Sequence, residues 1–178
     1  MKKVITVLLF IAVSISAFSQ NVIKFLGIPV EGTKKEMISK LQTKGYEYDS
    51  SSDALYGEFN GQNVFISIQT VNNRVWRIAV ADDKVSTDET NIKIRYNQLF
   101  KQFSNNGKYE VANGSTLDEK EDISFETTVH KKRYEAAFTL KDKTINGIVW
   151  YMIYERYGKY GIVIYYENLD NAANVEYL

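Results

Sequence analysis

Two windows of the chain carry apolar residues at helical spacing, and most of the remainder alternates apolar with polar residues as half-buried strands do. The first helix is expected to start at Thr33, whose hydroxyl can cap it while Glu36 answers three residues later as a capping box. Met37, Ile38 and Leu41 then form its apolar face, and Gly45 is placed to end it. The second starts near Ser86 or Asp88, with Glu89 in its first turn. Ile92, Tyr96, Leu99, Phe100 and Phe103 repeat at helical spacing, and Gly107 closes it.

Strand pairing can be tested from the sequence, because residues facing each other across an antiparallel pair share one side of the sheet. Asn60-Gly61 signals a two-residue hairpin that sets Phe59 opposite Gln62, Gly57 opposite Val64 and Leu55 opposite Ile66. A three-residue loop at 71–73, with Asn73 left-handed, keeps Trp76, Ile78 and Val80 on the same face. A four-residue turn at 130–133 sets Val129 opposite Tyr134, Phe125 opposite Phe138 and Ile123 opposite Leu140. Asn146-Gly147 places Leu140 opposite Ile153, and a type II′ turn at Gly158-Lys159 places Ile153 opposite Ile164 and Tyr151 opposite Tyr166. All three turns agree on one core face holding Val149, Tyr151, Ile153, Ile162, Ile164 and Tyr166, with Glu155 a misfit near a strand end.

Each helix has a similar sequel, Gly45-Tyr46-Glu47 after the first and Gly107-Lys108-Tyr109-Glu110 after the second. The expectation is an α+β protein made of two helix-plus-antiparallel-meander units, 20–85 and 86–178. The units are read as a diverged tandem repeat sharing a continuous or adjoining sheet.

Lys2 and Lys3 precede an apolar run over 4–13 and small residues ending in Ala17-Phe18-Ser19, the pattern of a secretory signal peptide over 1–19. Cleavage is expected before Gln20, which makes the protein periplasmic or secreted. An apolar run of about ten residues is half of what a bilayer span requires, so no membrane insertion is expected after cleavage. The 178-residue chain has no cysteine, which removes lipid attachment, disulfides, thiol nucleophiles and thiolate metal sites. Without Lys2 and Lys3 the 22 basic residues fall to 20 against 22 acidic ones, a net charge of −2 and no footprint for nucleic acid.

Candidate chemistry is sparse. His130, the single histidine, is placed in an exposed turn beside Lys131, Lys132 and Arg133, away from the partners that proton transfer or metal binding requires. Neither a phosphate-binding glycine loop nor a nucleophile elbow occurs. Asp118, Glu119, Glu121 and Asp122 form the densest acidic cluster, without the alternating ligand spacing and central glycine of a calcium loop. Catalytic residues, metal ligands and cofactors are therefore expected to be none, and an enzyme relying on two converging carboxylates is the remaining catalytic reading.

The face opposite the core is more informative. Alternation leaves Trp150, Met152 and Tyr154 on one strand and Val163 and Tyr165 on its neighbour, with Ser124, Glu126, Thr128, Glu135 and Thr139 on the flanking strands. The first unit contributes Phe65, Ser67, Gln69, Val75 and Arg77. Tryptophan, tyrosine and methionine with polar surroundings have the composition of a recognition surface, unless a helix or the segment 22–30 covers them as a second core. The expected binding residues are Trp150, Met152, Tyr154, Tyr165, Phe65 and Arg77. Their expected partner is a protein or another extended ligand; the alternative is a carbohydrate-binding or carbohydrate-processing accessory protein whose aromatic rings stack on sugars.

The opening Phe25-Leu26-Gly27-Ile28-Pro29-Val30-Glu31-Gly32-Thr33, with Lys44-Gly45-Tyr46 at the helix end, resembles the start of small secreted proteins of Bacteroidetes over 25–82. That resemblance implies export. The helix-plus-meander duplication is similar in architecture to the β-lactamase inhibitor protein fold, which implies a concave antiparallel sheet gripping a protein with aromatic side chains. That family typically carries disulfides, which this chain lacks.

Overall fold

The computed structural model describes residues 22–172; the expected signal segment 1–19 and the expected cleavage point before Gln20 lie outside them. After a two-stranded hairpin of β1 (Lys24–Phe25) and β2 (Ile28–Pro29), α1 (Lys34–Gln42) leads into β3 (Glu47–Asp49), β4 (Ala54–Phe59), β5 (Gln62–Val71) and β6 (Arg74–Asp82). A second helix, α2 (Glu89–Ser104), precedes β7 (Tyr109–Asn113), a short α3 (Ile123–Val129), β8 (Glu135–Leu140), β9 (Gly147–Arg156) and β10 (Lys159–Asn168). The last described element is α4 (Leu169–Ala172).

The protein is α+β, with an eight-stranded antiparallel sheet in the order β3-β4-β5-β6-β10-β9-β8-β7. Each helix-led half contributes four consecutive strands, and the halves join through their last strands, β6 and β10. Among the described residues no helix is long and apolar enough to cross a membrane.

One hydrophobic cluster lies between the sheet and the helices. It takes Met37 and Leu41 from α1, Ile92, Tyr96, Leu99 and Phe103 from α2, and Ile66, Ile78, Val149, Tyr151 and Ile164 from the sheet. The hairpin at 22–30 joins the same side: Phe25 packs 5.3 Å from Phe59 and 5.0 Å from Tyr166, ring centre to ring centre. It therefore does not cover the Trp150 face. Thr33 and Glu36 form the expected capping box, and Asp88 caps α2 by accepting from the Thr90 and Asn91 amides.

Several expected pairings are corrected. The segment 123–129 is α3, not a strand, although its apolar residues alternate. Asp122 accepts from the Phe125 amide at 2.8 Å, and Glu89 accepts from the Ile123 and Ser124 amides at 2.8 and 2.9 Å. With its first amides so well satisfied the segment closes into a helix, and β8 takes β7 as its neighbour. Ser124, Glu126 and Thr128 are thus not sheet residues.

The loop at 71–73 is in fact a two-residue turn, with Asn72 and Asn73 both left-handed at φ 50° and 61°. A bulge between Gln69 and Thr70 absorbs the difference. Beyond it the sides exchange. Val75 enters the core, while Trp76, although buried, stands outside that cluster. The last turn is Tyr157-Gly158, at φ 54° and 71°, so Ile153 faces Ile162 and Tyr151 faces Ile164. A longer loop at 141–146 sets Leu140 clear of Ile153, and Phe138 faces Val149. Away from the exchanged Val75 and Trp76 the slips are of even length, so the rest of the expected core face survives them.

Candidate functional site: the open face of the sheet

The sheet's second face is built in straight cross-strand rows. Tyr56, Phe65, Ala81, Val163, Met152 and Glu135 form one row across β4, β5, β6, β10, β9 and β8. The next runs Ser67, Ala79, Tyr165, Trp150 and Ala137, and the third runs Gln69, Arg77, Glu167, Ile148 and Thr139. Residues on adjacent rows alternate along each strand, so all lie on one side. Five of the six expected binding residues fall in these rows. The sixth, Tyr154, faces Gly161 one pair further along.

Within the rows the side chains form a stack. The Trp150 and Tyr165 rings lie 4.2 Å apart at 24°, and the Arg77 guanidinium sits 5.0 Å from the Tyr165 ring centre and 4.0 Å from that of Trp76. β10, which carries Tyr165, runs between β9, which carries Trp150, and β6, which carries Arg77. One carboxylate oxygen of Glu167 ties the stack together: it accepts from the Trp150 indole N–H at 2.7 Å and pairs with Arg77 Nη2 at 2.7 Å. Arg77 Nη1 also donates to Gln69 at 3.3 Å, whereas its buried Nε has no hydrogen-bond partner among the described residues.

Beside the stack lies a depression of about 520 Å³ floored by Phe65, Met152, Val163 and Tyr165. Tyr154 forms part of its wall, with its ring lying across Gly161, where a Cβ would come within 2.8 Å of it. Its hydroxyl donates to the Asp82 backbone carbonyl at 2.9 Å. Burial, then the Asp82 charge, raises the Tyr154 pKa above its usual value, so the hydroxyl stays neutral at physiological pH. Phe65, Met152, Tyr154, Trp150 and Tyr165 are all half-buried. Among the described residues, every buried side chain of a helix belongs to the core on the other face.

No family model, curated protein or solved structure matches this chain.

At the stack Arg77 is paired with Glu167, and Arg156, Asp82 and Asp83 line the depression beside it. Elsewhere, His130 caps α3 rather than sitting in a hairpin turn; its Nδ1 lies 2.8 Å from Glu126, with the side chain largely exposed. Glu121 pairs with Lys132 and accepts from the Tyr134 hydroxyl, and Asp122 is spent on the α3 cap. Among the described residues no cluster of three or more acidic or histidine side chains could hold a metal ion.

Two members of the stack were not among the expected binding residues. Glu167 was legible by parity, since it follows Val163 and Tyr165 on the same strand. Trp76 was not legible, because only the bulge turns it away from the core.

Proposed function

We propose that this protein is an exported, non-catalytic binding module that holds a protein or another extended ligand on the sheet face around Trp150, Tyr165 and Arg77. What carries the reading is that six candidate residues from four strands, far apart in sequence, converge on a half-buried face that receives no buried helix side chain. Aromatic residues and arginine are the types most enriched where partners bind tightly, and here they are pre-arranged. Mutual stacking favours a protein over a sugar. Trp150 stacks on Tyr165 and the Arg77 guanidinium lies 5.0 Å from the same ring centre, so these rings are already engaged with one another rather than free to stack on a sugar.

The two halves are read as diverged copies of one unit. A helix followed by a four-stranded meander occurs twice, and the copies meet through equivalent last strands.

The test is to immobilise the wild type and Trp150→Ala/Tyr165→Ala side by side, probing each with envelope extract and a glycan array. The expected result is a protein retained by the wild type and lost by the double variant, with no glycan signal. Glycan binding abolished by the double variant would establish the carbohydrate reading instead. Identical retention by both proteins would refute both readings.

A further inference from the structure

The depression beside the stack has an apolar floor and a charged rim. Alternation carries the open side beyond the rows described above: Asp83 follows Ala81 past the end of β6, and Arg156 follows Tyr154 on β9. Both line the depression. Resting on the reading of this face as a protein-binding surface, we propose that the depression takes an extended segment of the partner with a basic, an apolar and an acidic side chain at alternate positions. The apolar side chain enters the depression, the basic one meets Asp83 and the acidic one meets Arg156.

The first support is which charges are already spent. Asp82, the third charged residue at the depression, is 6% exposed and satisfied from within the protein. Its carboxylate accepts from Arg95 Nε at 2.7 Å and from the Ile162 amide at 3.1 Å, and it also pairs with Arg95 Nη2. Asp83 and Arg156 are exposed, and neither forms an ion pair among the described residues. The Arg156 guanidinium lies only over the neighbouring Tyr157 ring, 5.9 Å from its centre. One free negative and one free positive charge thus flank a single apolar depression. Such a rim discriminates in favour of an occupant carrying both signs.

The second support is spacing. β10 alone separates β6 from β9, so two strand spacings put Asp83 and Arg156 on the order of 10 Å apart across the sheet. Same-side residues of an extended segment recur about every 6.8 Å, so side chains four positions apart stand about 13 Å apart. Flexible basic and acidic ends can close that difference while the middle side chain stays over Phe65, Met152 and Val163.

The third is that the wall is built in advance. The Tyr154 ring lies across Gly161, its hydroxyl is held by the Asp82 carbonyl at 2.9 Å, and Asp82 is itself clamped by Arg95. A pre-formed wall spares the ordering cost that binding otherwise carries.

The test titrates the ¹⁵N-labelled protein at low salt with acetylated, amidated pentapeptides. These are Lys-Ser-Phe-Ser-Glu, the like-charged Lys-Ser-Phe-Ser-Lys and Glu-Ser-Phe-Ser-Glu, and the neutral Ser-Ser-Phe-Ser-Ser. Saturable amide shifts are expected at Phe65, Met152 and Val163, with the mixed-charge peptide bound about fivefold more tightly than the neutral one, as two exposed ion pairs allow. Arg156→Glu should transfer the preference to the peptide with two lysines, and Asp83→Lys to the peptide with two glutamates. A folding defect cannot produce those two opposite exchanges. No saturable shift at the depression, equal affinity for all four peptides, or a preference unmoved by both variants would each overturn the proposal. The wider reading of the face fails separately, when Trp150→Ala/Tyr165→Ala retains from envelope extract all that the wild type retains.

Discussion

Arg77 is held by four side chains at once: Trp76 and Tyr165 across its plane, Glu167 by charge, and Gln69 by a hydrogen bond. Glu167 is only 8% exposed in its side chain, so water does little to compensate it if that pairing is lost. Removing one partner of a buried ion pair leaves the other uncompensated. Arg77→Ala should therefore cost about 2–4 kcal/mol in urea unfolding. Trp150→Ala loses one stacked pair and one hydrogen bond at a half-buried site, and should cost about 1–2 kcal/mol. The alternation of β9 and β10 made Trp150, Met152, Tyr154 and Tyr165 legible because side-chain direction survives any even slip in register. Trp76 obeyed a bulge that depends on how two asparagines fold in space, which period-two reading cannot supply.

The same contrast holds for whole elements. α1 and α2 were readable because their caps, Thr33 with Glu36 and Asp88, are local, as is the Asn60-Gly61 hairpin. α3 was misread because part of what makes it a helix is distant in sequence: the Glu89 carboxylate, donated from α2, receives its first two amides. Glu89→Ala should loosen α3 by about 1–2 kcal/mol, the worth of a good N-terminal cap. Hydrogen exchange should show faster exchange over 123–126 with the sheet amides unchanged; uniform acceleration across the sheet would mean α3 is not an independent unit. Conversely, His130→Ala at the far end of α3 should change stability by no more than about 0.5 kcal/mol, since an exposed side chain with one surface pairing contributes little.

At the scale of the whole molecule, the absence of disulfides leaves packing and charge to hold the fold, and this gives its stability a shape in pH. The Lys132 ammonium, then the Tyr134 hydroxyl, hold the Glu121 carboxyl below its ordinary 4.5; Lys34, then Tyr48, lower Asp53 below 3.8. These groups contribute stability above their ordinary values and lose it as pH falls through their lowered ones. Burial acts oppositely on core tyrosines: it pushes Tyr96 up to about 12 and raises Tyr151 and Tyr166 further. Their contribution is complete below the ordinary 10 and is lost as pH rises through the folded-state values. Urea midpoints should therefore be flat from about pH 5 to 10 and fall on both sides. A fall beginning near neutrality would contradict the account.

The central claim is that the Trp150 face is open in the isolated protein and becomes covered by a partner. Hydroxyl-radical footprinting tests it directly, because Trp150 and Tyr151 are neighbours in the chain on opposite sides of the sheet. In the isolated protein Trp150, Met152 and Tyr165 should be modified while Tyr151 stays protected, and envelope extract should protect those three and leave exposed Phe125 reactive. Protection of Trp150 equal to that of Tyr151 in the isolated protein, or no change on adding extract, would contradict it.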